Sequence, residues 1–289
     1  MLSPIDIFAL IAVMLVGLPH GAFDGAIAFF LGAGRTPLRI TSFLAGYSVL
    51  ACLYIGFWYV MPLPALIIFL ALSIIHFGSG DIQPTHLPLD ESWQGLFKAA
   101  RILSHGGVVG IVIPSLHSEE VSTLYAILTG GDASIIMAIT AMLLPLWALS
   151  FIVYLVASLK FESLYGGVIE IGVLCILAAF LPPLAGFAAY FCLVHSRRHF
   201  LVIWHAMQEM LSRQTILITA LILTIVTWAA AAAAFYLQAD LAAVSLGDAA
   251  LRTVFISLAA LTVPHMILVD THRAKSWLSS TCSVSLSVN

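Results

Sequence analysis

Pro64-Ala-Leu-Ile-Ile-Phe-Leu-Ala-Leu-Ser-Ile-Ile-His76-Phe-Gly-Ser-Gly80 runs for seventeen residues without a Lys, Arg, Asp or Glu, and stops at Asp81. A helix of that length comes close to the hydrocarbon thickness of a bilayer, about 30 Å at 1.5 Å per residue. It is apolar on every face, which suits lipid or a deep core and not a water-facing surface. Its one histidine sits near its end, beside an aspartate. Working outward, comparable runs occupy about 5–31, 40–60, 94–115, 133–157, 164–181, 184–205, 215–237 and 250–270. The fold class is therefore all-α: a polytopic transmembrane helix bundle of about nine spans (range eight to ten). The 94–115 run is amphipathic, and reads as a tilted or partly interfacial span. Connections are short and hold most polar residues. No linker divides the chain, so residues 1–278 form one integral membrane domain, followed by a polar, flexible tail over 279–289.

Composition agrees. The chain has 289 residues, 62% hydrophobic and 9% charged, against roughly 45–50% and 25% in soluble domains. Mean hydropathy is +1.09. One soluble core cannot hide that much apolar surface, so a soluble globule is excluded. Disorder is excluded with it, and so is nucleic-acid binding, because eleven Lys and Arg in a chain of net charge −3 make no basic face. The N-terminus lacks a basic n-region, so the first run reads as a retained span and not as a cleaved signal peptide. With the N-terminus outside, Arg35, Arg39, Lys98, Arg101, Lys160, Arg197, Arg198, Arg213, Arg273 and Lys275 fall on the cytoplasmic side, and only Arg252 falls outside. That bias predicts a cytoplasmic C-terminus in a multi-pass protein of the cell inner membrane.

Ten histidines are unusual in so apolar a chain, since ionisable groups within a bilayer are rare and mostly functional. In this topology His20 and Asp24, His76 and Asp81, His105, Glu170, His195 and His199, and His265 and Asp270 all fall in the inner half of the membrane. The outer halves are nearly bare. The Pro19-His20-Gly21 sequence predicts a break or bend in the first span. The His195-Ser-Arg-Arg-His199 spacing puts two imidazoles one turn apart on one helix face, where both can reach one ion. Imidazole suits Fe, Zn, Cu or Ni, and no CxxC pair offers a thiolate site. Asp24, Asp81, Glu170 and Asp270 are placed to orient imidazoles by hydrogen bonds, and His105 and His265 to do so or to add a further ligand. The plainer reading makes all of these satisfied core or helix-end residues, a role that rarely needs so many histidines at one depth. His86 and His117 read as loop residues, His205 and His272 as interfacial. Arg197 and Arg198 either snorkel or pair with Glu170 or Glu209. Gly17, Gly21 and Gly25, and Gly106 and Gly110, recur every four residues, as close helix packing requires. Phe23, Phe77, Tyr190, Phe191 and Trp204 adjoin the histidines and are candidate linings of an apolar substrate pocket.

The segments Gly17-Leu-Pro-His20-Gly-Ala-Phe-Asp24, His76-Phe-Gly-Ser-Gly-Asp81, His195-Ser-Arg-Arg-His199 and Pro264-His265 followed by Asp270 resemble the Brp/Blh family of membrane-bound β-carotene 15,15′-dioxygenases, which supply retinal to microbial rhodopsins. The resemblance runs in order from the first span to the last. It implies non-haem Fe(2+) held by His20, His76, His195 and His199, with β-carotene and O2 as substrates and two all-trans-retinals as products. It also implies a functional link to a retinal-binding rhodopsin. Three other readings of the histidines were weighed. A membrane di-iron desaturase or hydroxylase would carry about eight histidines including HxxHH boxes, which are missing. A metal transporter would need polar residues through both halves of the membrane. A bis-His haem b protein would pair two of these imidazoles across a porphyrin.

Overall fold

The computed structural model describes residues 2–33, 36–83, 85, 87–208, 211–241 and 244–286, without the side chains of Leu18, His20, Phe30, Leu241, Asp270 and 272–286. No strand occurs among the described residues. The helices are α1 (Pro4–Phe29), α2 (Pro37–Val60), α3 (Pro62–Asp81), α4 (Glu91–Leu116), α5 (Ser118–Thr129), α6 (Ser134–Ser158), α7 (Glu162–Phe180), α8 (183–208), α9 (Arg213–Leu241) and α10 (Leu246–Leu286). The backbone of α10 stays helical through Leu286, across most of the stretch read from sequence as a tail.

Local chemistry sets the helix starts. Ser3 accepts from the Asp6 amide at 3.2 Å, and the Asp6 carboxylate accepts from the Ser3 amide at 2.9 Å, a reciprocal capping box. Thr36 caps α2, with Pro37 in the first helical position, where a missing N–H costs nothing. Gly130 closes α5 with φ 72°, a left-handed turn that a β-carbon would strain.

Among the described residues eight helices are long and apolar enough to cross a membrane, all but α5 and α8. α5 is short. α8 runs for about 39 Å, but His195, Arg197, Arg198 and His199 lower its hydropathy. Contacts nevertheless run α8 from one end of the bundle to the other. A β-carbon on Gly247 would lie 3.4 Å from Leu2, so α10 begins at the end of the bundle where α1 begins. An even number of crossings must separate them, and the other helices between supply seven. Among the described residues nine helices therefore run the length of the bundle, eight of them long and apolar enough to cross a membrane. The same end holds the Trp58 indole bonded to the Leu128 carbonyl (3.2 Å) and His117, whose Nε2 donates to the Ala178 carbonyl (2.7 Å). His117 is thus a half-buried tie between helices and not a plain loop residue: the end of α4 packs against the end of α7, which the sequence order does not reveal.

The amphipathic character of the 94–115 run reflects burial: α4 is the most buried of the candidate spans, with more than half of it inside the bundle. Its polar face (Arg101, Ser104, His105) turns inward, where the Arg101 guanidinium donates to the Gln83 carbonyl at 2.9 Å. Backbone contact brings α3 and α4 together: a β-carbon on Gly106 would strike the Ile74 carbonyl, and one on Gly78 the Ile102 carbonyl. Gly17 packs equally tightly on Phe191 and Gly25 on Leu223, whereas Gly21 has room.

Besides the 3-10 first turn of α7 at Glu162–Leu164, three helices depart from α geometry in their interior. α1 passes through a π turn at Val13–Gly17 and a 3-10 turn at Leu18–Phe23 before resuming at Asp24, which puts the expected irregularity at Pro19. Further π turns lie at Val108–Val112 in α4 and Ala189–Ser196 in α8. Such turns are rare and often mark functional positions.

Candidate metal centre

Four spans converge between the large apolar core and a smaller one built on Ala26, Ile27, Ile203, Met207 and Leu268. α1 contributes Asp24, α3 His76 and Asp81, α8 His195 and His199, and α10 His265. All but His199 are buried; Asp24 is 2% exposed and His195 1%.

Two matching relays hold the imidazoles. The His265 Nδ1–H donates to Asp24 at 2.7 Å, and Asp24 also accepts from the Tyr47 hydroxyl of α2 at 2.7 Å. The His195 Nδ1–H donates to Asp81 at 3.2 Å, and Asp81 accepts from the Tyr190 hydroxyl at 2.7 Å. A carboxylate on Nδ1 fixes the proton there and turns the Nε2 lone pair away from the relay, as is usual for metal-binding histidine. For His195 that lone pair faces the His76 Nε2 at 3.1 Å. The His265 ring lies 5.0 Å from that of His76 and 4.9 Å from that of His199, centroid to centroid. Donor atoms of Asp24, His199 and His265 lie within 4.8 Å of one another.

This donor set fits a first-row divalent ion. Neighbouring imidazole nitrogens bonded to one such ion at 2.0–2.1 Å sit about 3 Å apart, close to the His76–His195 separation. Imidazoles with a carboxylate suit Fe or Zn over Ca or Mg. Among the described residues no cysteine joins the cluster, and the Cys192 Sγ points to the Ala12 carbonyl at 3.6 Å.

A third network runs away from the cluster. Arg198 donates to the Asp81 carbonyl and to Glu170, both at 2.7 Å, and the His105 Nε2 lies 3.2 Å from Glu170. Arg198 thus offsets the charge of the buried Asp81, whose Oδ1 lies 3.5 Å away, and of the half-buried Glu170, one of the two partners left open by the sequence. His105 and Glu170 adjoin the cluster without facing its centre. The backbone of His20 lies in the 3-10 turn of α1, and the side chains of His20 and Asp270 lie outside the described residues, as do His86, Glu209 and the side chain of His272.

Phe77, Tyr190 and Phe191 surround His195, with Phe77 at 4.6 Å and Phe191 stacked at 5.9 Å. Phe23 and Trp204 sit elsewhere. Each packs on Phe200, at 5.1 and 5.6 Å, beside the smaller apolar cluster. Phe23 precedes Asp24 by one position and so projects about 100° away from it. Tyr47 escaped the sequence reading, although a phenol hydroxyl in an apolar span must find a partner. A cavity of about 40 Å³ opens beside His76 and His265, walled by Phe69, Phe77, Phe187 and Phe191 with Gly17, Gly21, Ser73 and Thr262. It is large enough for a few molecules the size of water or O2.

The profile of the β-carotene 15,15′-dioxygenase family matches residues 11–272. A β-carotene 15,15′-dioxygenase from the uncultured marine bacterium 66A03 is 38% identical over 268 residues, 92% of this chain and 93% of the relative. A probable β-carotene 15,15′-dioxygenase Blh from Halobacterium salinarum is 29% identical over 216 residues, 68% of this chain and 62% of the relative. No solved structure matches. The matched residues include every member of the imidazole–carboxylate cluster: the chain belongs to the β-carotene 15,15′-dioxygenase family.

Proposed function

We propose that this protein is an intramembrane, non-haem iron(II) enzyme that splits the central 15,15′ double bond of β-carotene with O2, giving two all-trans-retinals. One observation carries the reading: imidazoles from three spans meet inside the bundle beside an apolar cavity. β-Carotene is a hydrocarbon that dissolves in the bilayer core, and O2 partitions there too. His20, His76, His195 and His199 are the proposed ligands. His265 and Asp24 stand close enough to complete or adjust the set, and Asp81, Glu170, His105 and Asp270 orient it. Fe(2+) bound there would supply the one-electron chemistry that lets O2 react with a closed-shell alkene.

The atoms balance without another reductant. The C15=C15′ bond breaks, and each carbon takes one oxygen atom of O2. No protein group has to deliver or accept a proton. The chain's task is to hold the double bond beside the imidazoles, to keep water out and to fix charge. Phe77, Phe187 and Phe191 provide an apolar wall that grips a polyene face without binding water. Asp81 and Asp24 keep His195 and His265 in the tautomer whose Nε2 faces the centre. Arg198 holds the Asp81 loop end in place.

We place the N-terminus outside and the C-terminus on the cytoplasmic side of the cell inner membrane, and a retinal-binding rhodopsin is the natural consumer of the product. Expression in a bacterium that accumulates β-carotene tests the activity. Loss of yellow colour with appearance of retinal supports it. Unchanged carotenoid with the protein present and iron-loaded overturns it.

A further inference from the structure

A second apolar cavity, of about 60 Å³, lies on the far side of the aromatic wall from His76. The two cavities share Phe69, Ser73, Phe77 and Phe187 as lining, so only side chains separate them. The second follows one face of α3 away from the site, from Phe77 through Ser73 and Phe69 to Leu66. Leu66 is ten residues from His76, about 15 Å along the helix, comparable to half of an extended β-carotene measured from its central bond. It ends under α5, against Val121, Leu124, Tyr125 and Leu128. That short helix is pinned by the Trp58 indole and does not itself cross.

We propose that this second cavity marks the path of one ring-bearing half of the substrate, widened to fit that arm and joined to the metal-side cavity when Phe187 and the neighbouring side chains turn aside. The inference rests on the proposed carotene cleavage and adds to it where one arm goes and what limits its length. Phe187 is suited to the role of partition. It is stacked on Phe191 at 5.4 Å, leans on Phe255 at 5.4 Å and lines both cavities. A central cut needs a stop that sets how far the polyene slides. The α5 wall supplies one at the distance that leaves the middle double bond beside His76. Val121, Leu124 and Tyr125 are thus specificity-determining positions remote from the metal.

The test fills the closed end and compares two substrates in the same preparation. Leu124→Trp and, independently, Val121→Phe are assayed with β-carotene and with β-apo-8′-carotenal, which carries the same central bond but one shortened arm. The expected result is a fall of roughly tenfold or more in kcat/KM for β-carotene, with cleavage of the shortened substrate within about threefold of wild type, because its short arm does not reach α5. Equal retention of both substrates overturns the proposal. So does parallel loss of both in a variant that extracts and melts like wild type. A wild-type protein that cleaves neither substrate contradicts the proposed function itself, so the two failures are distinguishable.

Discussion

Asp81 and Asp24 perform one task on opposite sides of the cluster. Each carboxylate takes an imidazole Nδ1–H and a tyrosine hydroxyl, on separate oxygens at Asp24 and on the same oxygen, Oδ2, at Asp81. Replacing Asp81 by Asn keeps the shape but removes the charge and the fixed tautomer of His195. Asp81→Asn should lower iron retention and retinal yield by about 10–100-fold, read as iron per chain and retinal formed; wild-type iron content in that variant contradicts the role. Tyr190→Phe removes one hydrogen bond to the same carboxylate and should cost less, a loss of about 3–10-fold. Much at this scale is legible in the sequence. His195 and His199 declare themselves by their spacing, and His76 and His265 by their apolar surroundings. Tyr47 does not, because its partner lies 23 residues away on another span and no local spacing marks such a pair. The central position of His265 is equally hidden, since it depends on how α10 rotates against α3 and α8.

Spans are the most readable elements, because twenty apolar residues leave a chain little choice of environment. Their packing is less so. The Gly106–Gly110 repeat announces a close approach but not its partner, which is the backbone of α3 at Ile74. Gly106→Val should destabilise the detergent-solubilised protein by about 1–3 kcal/mol, seen as a lower Tm. Gly56→Ala faces open space on α2 and should melt within about 1 kcal/mol of wild type. Equal Tm values for the two variants contradict the backbone contact. α8 is the element that hydropathy misjudges: the residues that give it a functional face are the ones that make it look too polar to cross.

For the whole molecule, nine bundle-length helices, eight of them apolar enough to cross a membrane, agree with the clustering of Lys and Arg at one end. The end opposite Leu2, Pro183 and Gly247 carries the positive charge, and the histidine cluster sits in that half. A fluorescent-protein fusion at the C-terminus should therefore fluoresce, and an export-dependent reporter at the same point should be silent; the reverse pattern contradicts the orientation. Convergence of histidines at one depth was visible once the spans were aligned, whereas the relays and the second cavity required the tertiary arrangement. The central claim is that one iron site, built by imidazoles from several spans, performs the cleavage. Its most direct test is metal removal and return on the purified protein. Chelator-treated protein should form no retinal. Fe(2+) should restore two retinals per β-carotene consumed, with one iron per chain, and Zn(2+) should not restore activity. The same protein carrying His195→Ala should neither retain iron nor recover. Retinal formation at the wild-type rate by the metal-free protein, or by His195→Ala, would contradict the account.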